Sequence, residues 1–192
     1  MTLKERLLSS QTVYNGRAFI IRRDELRIPS GVTILREVVD HPGAVAVVPI
    51  LNNKSILMVK QYRYPVSRVL LEIPAGTLRK GERPLDGARR ELVEETGYRA
   101  GYLKKILRCY TSPGYSSELL HIFLATGLSK TNSRVDADEF IRISEIKIHQ
   151  ALTMIMKNEI KDAKTICGIL ASSPTLLSMN GIMVGNENSL GG

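Results

Sequence analysis

Residues 76–98 read GTLRKGERPLDGARRELVEETGY. Pro84 suits the first turn of a helix and Gly97 suits its end, so the spacing predicts a helix over 84–96. Laid out at about 100° per residue, Leu85, Ala88 and Leu92 form an apolar stripe with Val93 beside it. Glu91 and Glu95, at i and i+4, stack on one face, and Glu94 flanks the stripe on the other side. Stacked glutamates repel by roughly a few tenths of a kcal/mol when exposed, and partial burial raises the cost. A hard divalent cation with oxygen ligands relieves that repulsion. Pairing with Arg89 and Arg90 on a solvated helix relieves it too, and helix spacing alone leaves both readings open.

The rest of the chain sets the context. Its 192 residues are 43% hydrophobic, enough to bury one good core. With no Trp and three Phe, that core must rest on Ile, Leu and Val. The net charge of +8 and pI of about 9.6 favour anionic ligands. The basic residues are scattered, with no run of five, and read as a solvated surface rather than a nucleic-acid site. Cys109 and Cys167 are too few and too far apart for a disulfide framework or a zinc knuckle. No apolar stretch approaches 18 residues and MTLKERLLSSQ has no apolar signal region, so the expectation is a cytoplasmic protein without a membrane segment.

Residues 1–40 alternate short β-prone runs with turn signals at Asn15-Gly16 and Ser30-Gly31, which predicts an antiparallel strand meander. AVAVVPIL, after His41-Pro42-Gly43, has the length of a buried strand. SILMVKQYRY and Arg68 to Ile73 follow as strands, and two more are expected at 103–109 and 118–125. Residues 146–170 read as two helices parted near 158–163. The segment 172–192 is rich in Gly, Asn and Ser and is expected to be loosely ordered. Its apolar residues could instead pack on a partner. The expected organisation is a strand subdomain over 1–40, an α/β domain over 41–171 and the tail.

Gly76, Glu82 and the run Arg90-Glu91-Leu92-Val93-Glu94-Glu95-Thr96-Gly97, taken at their spacing, match the Nudix box, and the chain resembles Nudix hydrolases over roughly residues 10–171. Seven residue types in fixed places would arise by chance on the order of once in 10⁸ to 10⁹ starts. Tyr98, where the family has a bulky aliphatic residue, is a departure that bears on packing. The resemblance implies an α/β/α sandwich with a mixed sheet that hydrolyses a nucleoside diphosphate linked to another moiety. It implies a divalent cation, Mg²⁺ or Mn²⁺, held by Glu91, Glu94, Glu95 and the backbone carbonyl of Ala75. Glu82 and Arg90 would brace the box by an ion pair, and Gly76 and Gly97 would serve its loop and helix end.

Flanking residues resemble the ADP-ribose pyrophosphatase branch of that family. Pro113 stands fifteen residues beyond Tyr98, inside Ser-Pro-Gly with Gly114, where the resemblance implies substrate binding. Gln61-Tyr62-Arg63 resembles a Gln-aromatic-Arg element whose arginine contacts phosphates, which suits a guanidinium fork. DADEFIRIS, residues 136–144, resembles an acidic loop in which Glu139 supplies a catalytic carboxylate; Glu94 and Arg90 join it in the implied catalytic set. Glu118 is a further substrate-binding candidate. IKDAKTICGIL, residues 160–170, resembles a common helix start and reads as structural, as do His41, His121 and His149. Tyr14 and Phe19 are the candidates for stacking a base.

The resemblance thus implies hydrolysis of ADP-ribose to AMP and ribose 5-phosphate by a homodimer whose N-terminal strands complete both sites, with no nucleic-acid or membrane partner. The alternatives are another nucleoside diphosphate sugar, such as GDP-mannose, or a non-catalytic ligand sensor of the same fold.

Overall fold

The computed structural model describes residues 3–52, 54–131 and 141–179. At its centre lies the apolar run after Gly43, as strand β4 (Ala44–Pro49), every residue of which is buried. Three short strands precede it: β1 (Arg6–Asn15), β2 (Ile20–Arg27) and β3 (Thr33–Asp40). They form the expected antiparallel meander, a sheet in the order β1-β2-β3. Gly16 N–H donates to Phe19 O at 3.1 Å in the first turn, and Ile28 N–H donates to Val32 O at 3.0 Å in the second.

Strand β4 is covered on both sides, which explains why its sequence is apolar throughout instead of alternating. It pairs antiparallel with β7 (Ala75–Thr77) and parallel with β9 (Leu119–Lys130), and β9 pairs antiparallel with β8 (Tyr98–Tyr110). The result is a mixed sheet, β7-β4-β9-β8. Side chains alternate across it. Val45, Val47, Phe123 and Ala125 meet Ala88 and Leu92 of helix α1 (Pro84–Thr96) on one face. Ala46, Val48, Ile122 and Leu124 meet Ile169 of helix α3 (Ala163–Met179) on the other. Each fully buried large aliphatic side chain there contributes roughly 1.5–3 kcal/mol. The expected sandwich with a mixed sheet is the observed one.

A second antiparallel sheet, β10-β5-β6, is built from β5 (Ser55–Arg63), β6 (Arg68–Glu72) and β10 (Arg142–Lys147). Helix α2 (Ile148–Met156) follows β10 and packs on α3.

Helix α1 spans 84–96 as its spacing predicts, and Gly97 ends it at φ 70° with its N–H on Val93 O at 2.9 Å. Other boundaries differ from expectation. β8 and β9 are longer than the periodicity indicates, because their cross-strand pairing continues to Tyr98 opposite Lys130 through polar residues with no clear alternation. β7 has three residues and exists only by pairing with β4. Residues 146–147, expected as helix, end β10 instead, paired with Ile56 and Ser55.

α3 runs on to Met179, into the segment expected as a loose tail, and Ser172 is buried. Pro174 has no N–H to give the carbonyl of Leu170. The Ser173 hydroxyl, 2.6 Å away, donates to that carbonyl instead. Residues 180–192 lie outside the described residues, as does the expected loop residue Glu139.

Candidate active site

The loop from Ala75 to Arg83 and helix α1 are tied by one guanidinium. Arg90 Nε and Nη2 donate to the two oxygens of Glu82 at 2.8 and 2.9 Å. Its Nη1 donates to Glu91 Oε1 at 2.5 Å and to Glu94 Oε2 at 2.8 Å, and Nη2 reaches Thr77 O at 3.3 Å. All five N–H groups of Arg90 are therefore committed to the protein. Arg90 is held as a brace, and its pKa lies above the ordinary value through these partners, Glu82 first. The same bonds hold the Glu82 carboxyl down at about 2, the Arg90 hydrogen bond outweighing burial. Arg79 adds a bond to Glu94 Oε1 at 3.2 Å, and its N–H donates to Glu82 Oε2 at 2.9 Å.

The two buried glutamates of α1 meet the loop at adjacent residues. Glu95 Oε2 accepts the N–H of Ala75 at 3.0 Å. Glu91 lies against Gly76, so closely that a Cβ there would stand 2.1–2.4 Å from its carboxylate. Glycine at 76 is thus a requirement of approach: the missing side chain is the space the carboxylate uses.

Ala75, Gly76 and Thr77 form one wall of a cleft of about 370 Å³, whose other lining residues include Arg63, Glu118 and Lys164. Arg63 ends β5. Its Nε and Nη2 donate to the two oxygens of Glu72 at 2.8 and 2.7 Å. Glu72, Glu95 and Asp162 all raise its pKa, against the effect of burial. Lys164 bonds to Glu72 Oε2 and, at 2.9 Å, to Asp162 Oδ1. Asp162 also caps α3, accepting the N–H and hydroxyl of Thr165 at 3.0 and 2.5 Å. The Thr165 hydroxyl in turn accepts Ile73 N–H at 2.9 Å, which joins the start of α3 to the end of β6.

Several expected site residues thus converge: Ala75, Gly76, Arg63 and Glu118 line one cleft, and Glu91 and Glu95 touch its wall. Glu118 Oε2 accepts the Thr111 hydroxyl at 2.6 Å. Pro113 and Gly114 do not line the cleft; they sit in an exposed turn closed by Ser116 N–H on Ser112 O at 2.9 Å. Tyr14 and Phe19 touch each other, with ring centroids 6.2 Å apart. Phe19 lines a second cleft of about 430 Å³ with Arg17, His41, Leu78 and Lys80. His41 accepts Gly43 N–H at 3.1 Å, a structural contact.

Sequence reasoning missed Glu72, and it read Asp162 and Lys164 as structural. The available signal was a charged residue inside the apolar LLEIP stretch, which demands a buried partner.

The residues of the box fit a divalent cation by donor chemistry. Glu82, Glu91, Glu94 and Glu95 carry four negative charges, while Arg79 and Arg90, bonded among them, carry two positive ones. The donors are all oxygens, as Mg²⁺ and similar ions require. Among the described residues no group of three or more His, Cys, Asp or Glu is arranged to hold an ion as it stands. Arg90 occupies Glu91 and Glu94, so loading would exchange those bonds for metal ones.

Residues 40–167 match the NUDIX domain model. The ADP-ribose pyrophosphatase of Bacillus subtilis (strain 168) is 42% identical over 170 residues, covering 88% of this chain and 92% of that one. A methanol dehydrogenase activator of Bacillus methanolicus is 40% identical over 168 residues, covering 86% and 91%. The crystal structure of an ADP compounds hydrolase shares the fold, with a TM-score of 0.81 over 95% of this chain and 100% of that one at 21% identity. A complete box, its sandwich and relatives matched over nearly their whole length leave one assignment: the chain belongs to the Nudix family of hydrolases.

Proposed function

We propose that the chain hydrolyses the diphosphate of ADP-ribose to AMP and ribose 5-phosphate. The observation that carries this reading is that Glu91 and Glu95 contact the Ala75–Gly76 wall of the same cleft that Arg63 lines, acidic groups for a cation and a guanidinium for phosphate. Similarity to a relative named ADP-ribose pyrophosphatase supports the choice of substrate.

Glu91, Glu94, Glu95 and the Ala75 carbonyl would hold Mg²⁺, or Mn²⁺ in its place. Such an ion supplies Lewis-acid chemistry at the diphosphate and lowers the pKa of water. The chain's own residues do the rest. Arg63 keeps three N–H groups beyond those taken by Glu72 and binds the phosphates with them. Arg90, bonded to both oxygens of Glu82, keeps the loop and helix α1 in register, and Glu118 borders the substrate. Glu139, outside the described residues, accepts the proton of the attacking water. Water adds to one phosphorus, the bridging P–O bond breaks, and the two monophosphates leave.

A homodimer and a cytoplasmic location belong to the same reading. The meander offers an exposed apolar surface, with Leu7, Val13, Tyr14 and Leu35 among its residues, and the unpaired Cys109 and Cys167 suit a reducing compartment.

The test is incubation with ADP-ribose and Mg²⁺, product analysis by mass spectrometry, and the same with Glu95→Gln. AMP and ribose 5-phosphate from the wild type, with a loss of about 10²-fold or more in the variant, is the expected result. Preference for GDP-mannose in an equimolar mixture would move the assignment to another sugar nucleotide. Tight ADP-ribose binding without turnover would make the protein a sensor.

A further inference from the structure

Glu72 has no part in the chemistry above, yet it is one of the most buried charged residues of the fold, 1% exposed at the end of β6. An ionised carboxylate in such a place is costly unless cations satisfy it. Here two do, and both line the cleft. Arg63 gives it a two-pronged contact, and Lys164 bonds the same oxygen that Arg63 Nη2 reaches. Burial pushes the Glu72 carboxyl up, but the bonds and charges of Arg63 and Lys164 outweigh it and hold the group below the usual carboxylate range.

The donor count gives this arrangement a direction. Glu72 takes one edge of the Arg63 guanidinium and leaves three N–H groups. Glu72 and Asp162 take two of the three donors of Lys164 and leave one. Two cations from different elements, β5 and α3, are thus fixed to a single buried anion, each with donors to spare in the same cleft.

We propose that Glu72 is a positioning residue that holds Arg63 and Lys164 as a paired anchor for the anionic diphosphate, and that Lys164 is a second substrate contact beside Arg63. This rests on the diphosphate substrate proposed above. Neither cation could be preorganised by a surface carboxylate to the same degree, because a flexible partner leaves rotamer entropy to be lost on binding. Asp162 fixes the lysine from the other side and, as the cap of α3, makes the helix start part of the anchor.

The experiment is titration calorimetry of the full chain with inorganic pyrophosphate in Mg²⁺ buffer, together with ADP-ribose kinetics, for wild type, Glu72→Gln, Lys164→Gln and Lys164→Arg. Glu72→Gln is expected to weaken pyrophosphate binding and raise KM by about tenfold or more, while kcat changes less than about threefold. Lys164→Gln, which leaves Glu72 its two bonds from Arg63 and whose folding is checked by its Tm, is expected to do the same, and Lys164→Arg to recover most of the affinity. Unchanged pyrophosphate affinity in Glu72→Gln or Lys164→Gln, with only a lower Tm, would overturn the proposal and leave Glu72 as a structural tie. So would a wild type that does not bind pyrophosphate. If wild type binds pyrophosphate and the variants do not, but ADP-ribose is never turned over, the anchor stands and the substrate assignment fails. If wild type turns ADP-ribose over and the variants bind pyrophosphate normally, the substrate stands and the anchor fails.

Discussion

A methyl group at position 76 would stand 2.1–2.4 Å from the carboxylate of Glu91, and both groups belong to fixed elements. Gly76→Ala is therefore expected to displace Glu91 by an ångström or so and to lower kcat by about 10²-fold, with the circular dichroism spectrum unchanged. Turnover at the wild-type level would show that Glu91 has freedom the geometry denies. Glu82 makes a different prediction. Its carboxyl titrates near 2 in the fold against 4.5 ordinarily, first because Arg90 donates to it. The unfolded chain binds the proton more readily, so the contribution of Glu82 to stability is fully present above about pH 4.5 and is lost as pH falls towards about 2. Wild type is expected to exceed Glu82→Gln in denaturant stability at pH 7, and the gap to shrink across that window. A gap that stays constant down to pH 2 would contradict the ion pair.

Helix α1 shows how an element carries a site. Its apolar stripe is pressed on the mixed sheet through Ala88 and Leu92, and that packing fixes the rotation that sends Glu91 and Glu95 to the loop. The helix must stop at once for β8 to start, and Gly97 at φ 70° makes the stop. Ala at 97 would carry a Cβ in the left-handed region at a cost of roughly 1–2 kcal/mol. For a chain of this size that corresponds to a Tm lower by about 2–8 °C. Turnover below the new Tm is expected to be kept, since Gly97 touches no reacting group; scanning calorimetry and a rate assay check both. The limits of this helix were legible in the sequence because Pro84 and Gly97 are local signals. Those of β7 and β10 were not, since their strands exist through partners distant in the chain.

For the molecule as a whole, the meander is the part least accounted for by its own packing. Every residue of β1 is exposed, and large apolar side chains such as Leu7, Leu35 and Tyr14 lie open on that sheet. A three-stranded sheet with apolar groups on view is unusual in a monomer. Light scattering is expected to give twice the mass of 21.3 kDa, and Leu35→Glu to shift it towards the monomer. A monomer in the wild type at working concentration would refute the dimer.

The reaction class was legible in the chain because the box is a short, dense, local segment that resembles the Nudix box; its helix spacing alone left the cation and ion-pair readings open. The buried strand was legible because a sequence covered on both faces must be apolar throughout. What no reading along the chain could supply was the company that Arg63 keeps. Glu72 looked like one acid in an apolar stretch, and Asp162 and Lys164 like the start of a distant helix. Their meeting depends on β5 and β6 lying side by side and on α3 reaching the end of β6, where Thr165 receives Ile73 N–H. Such contacts join residues up to 92 positions apart. Local propensity carries no information over that distance, and only the packed core sets it.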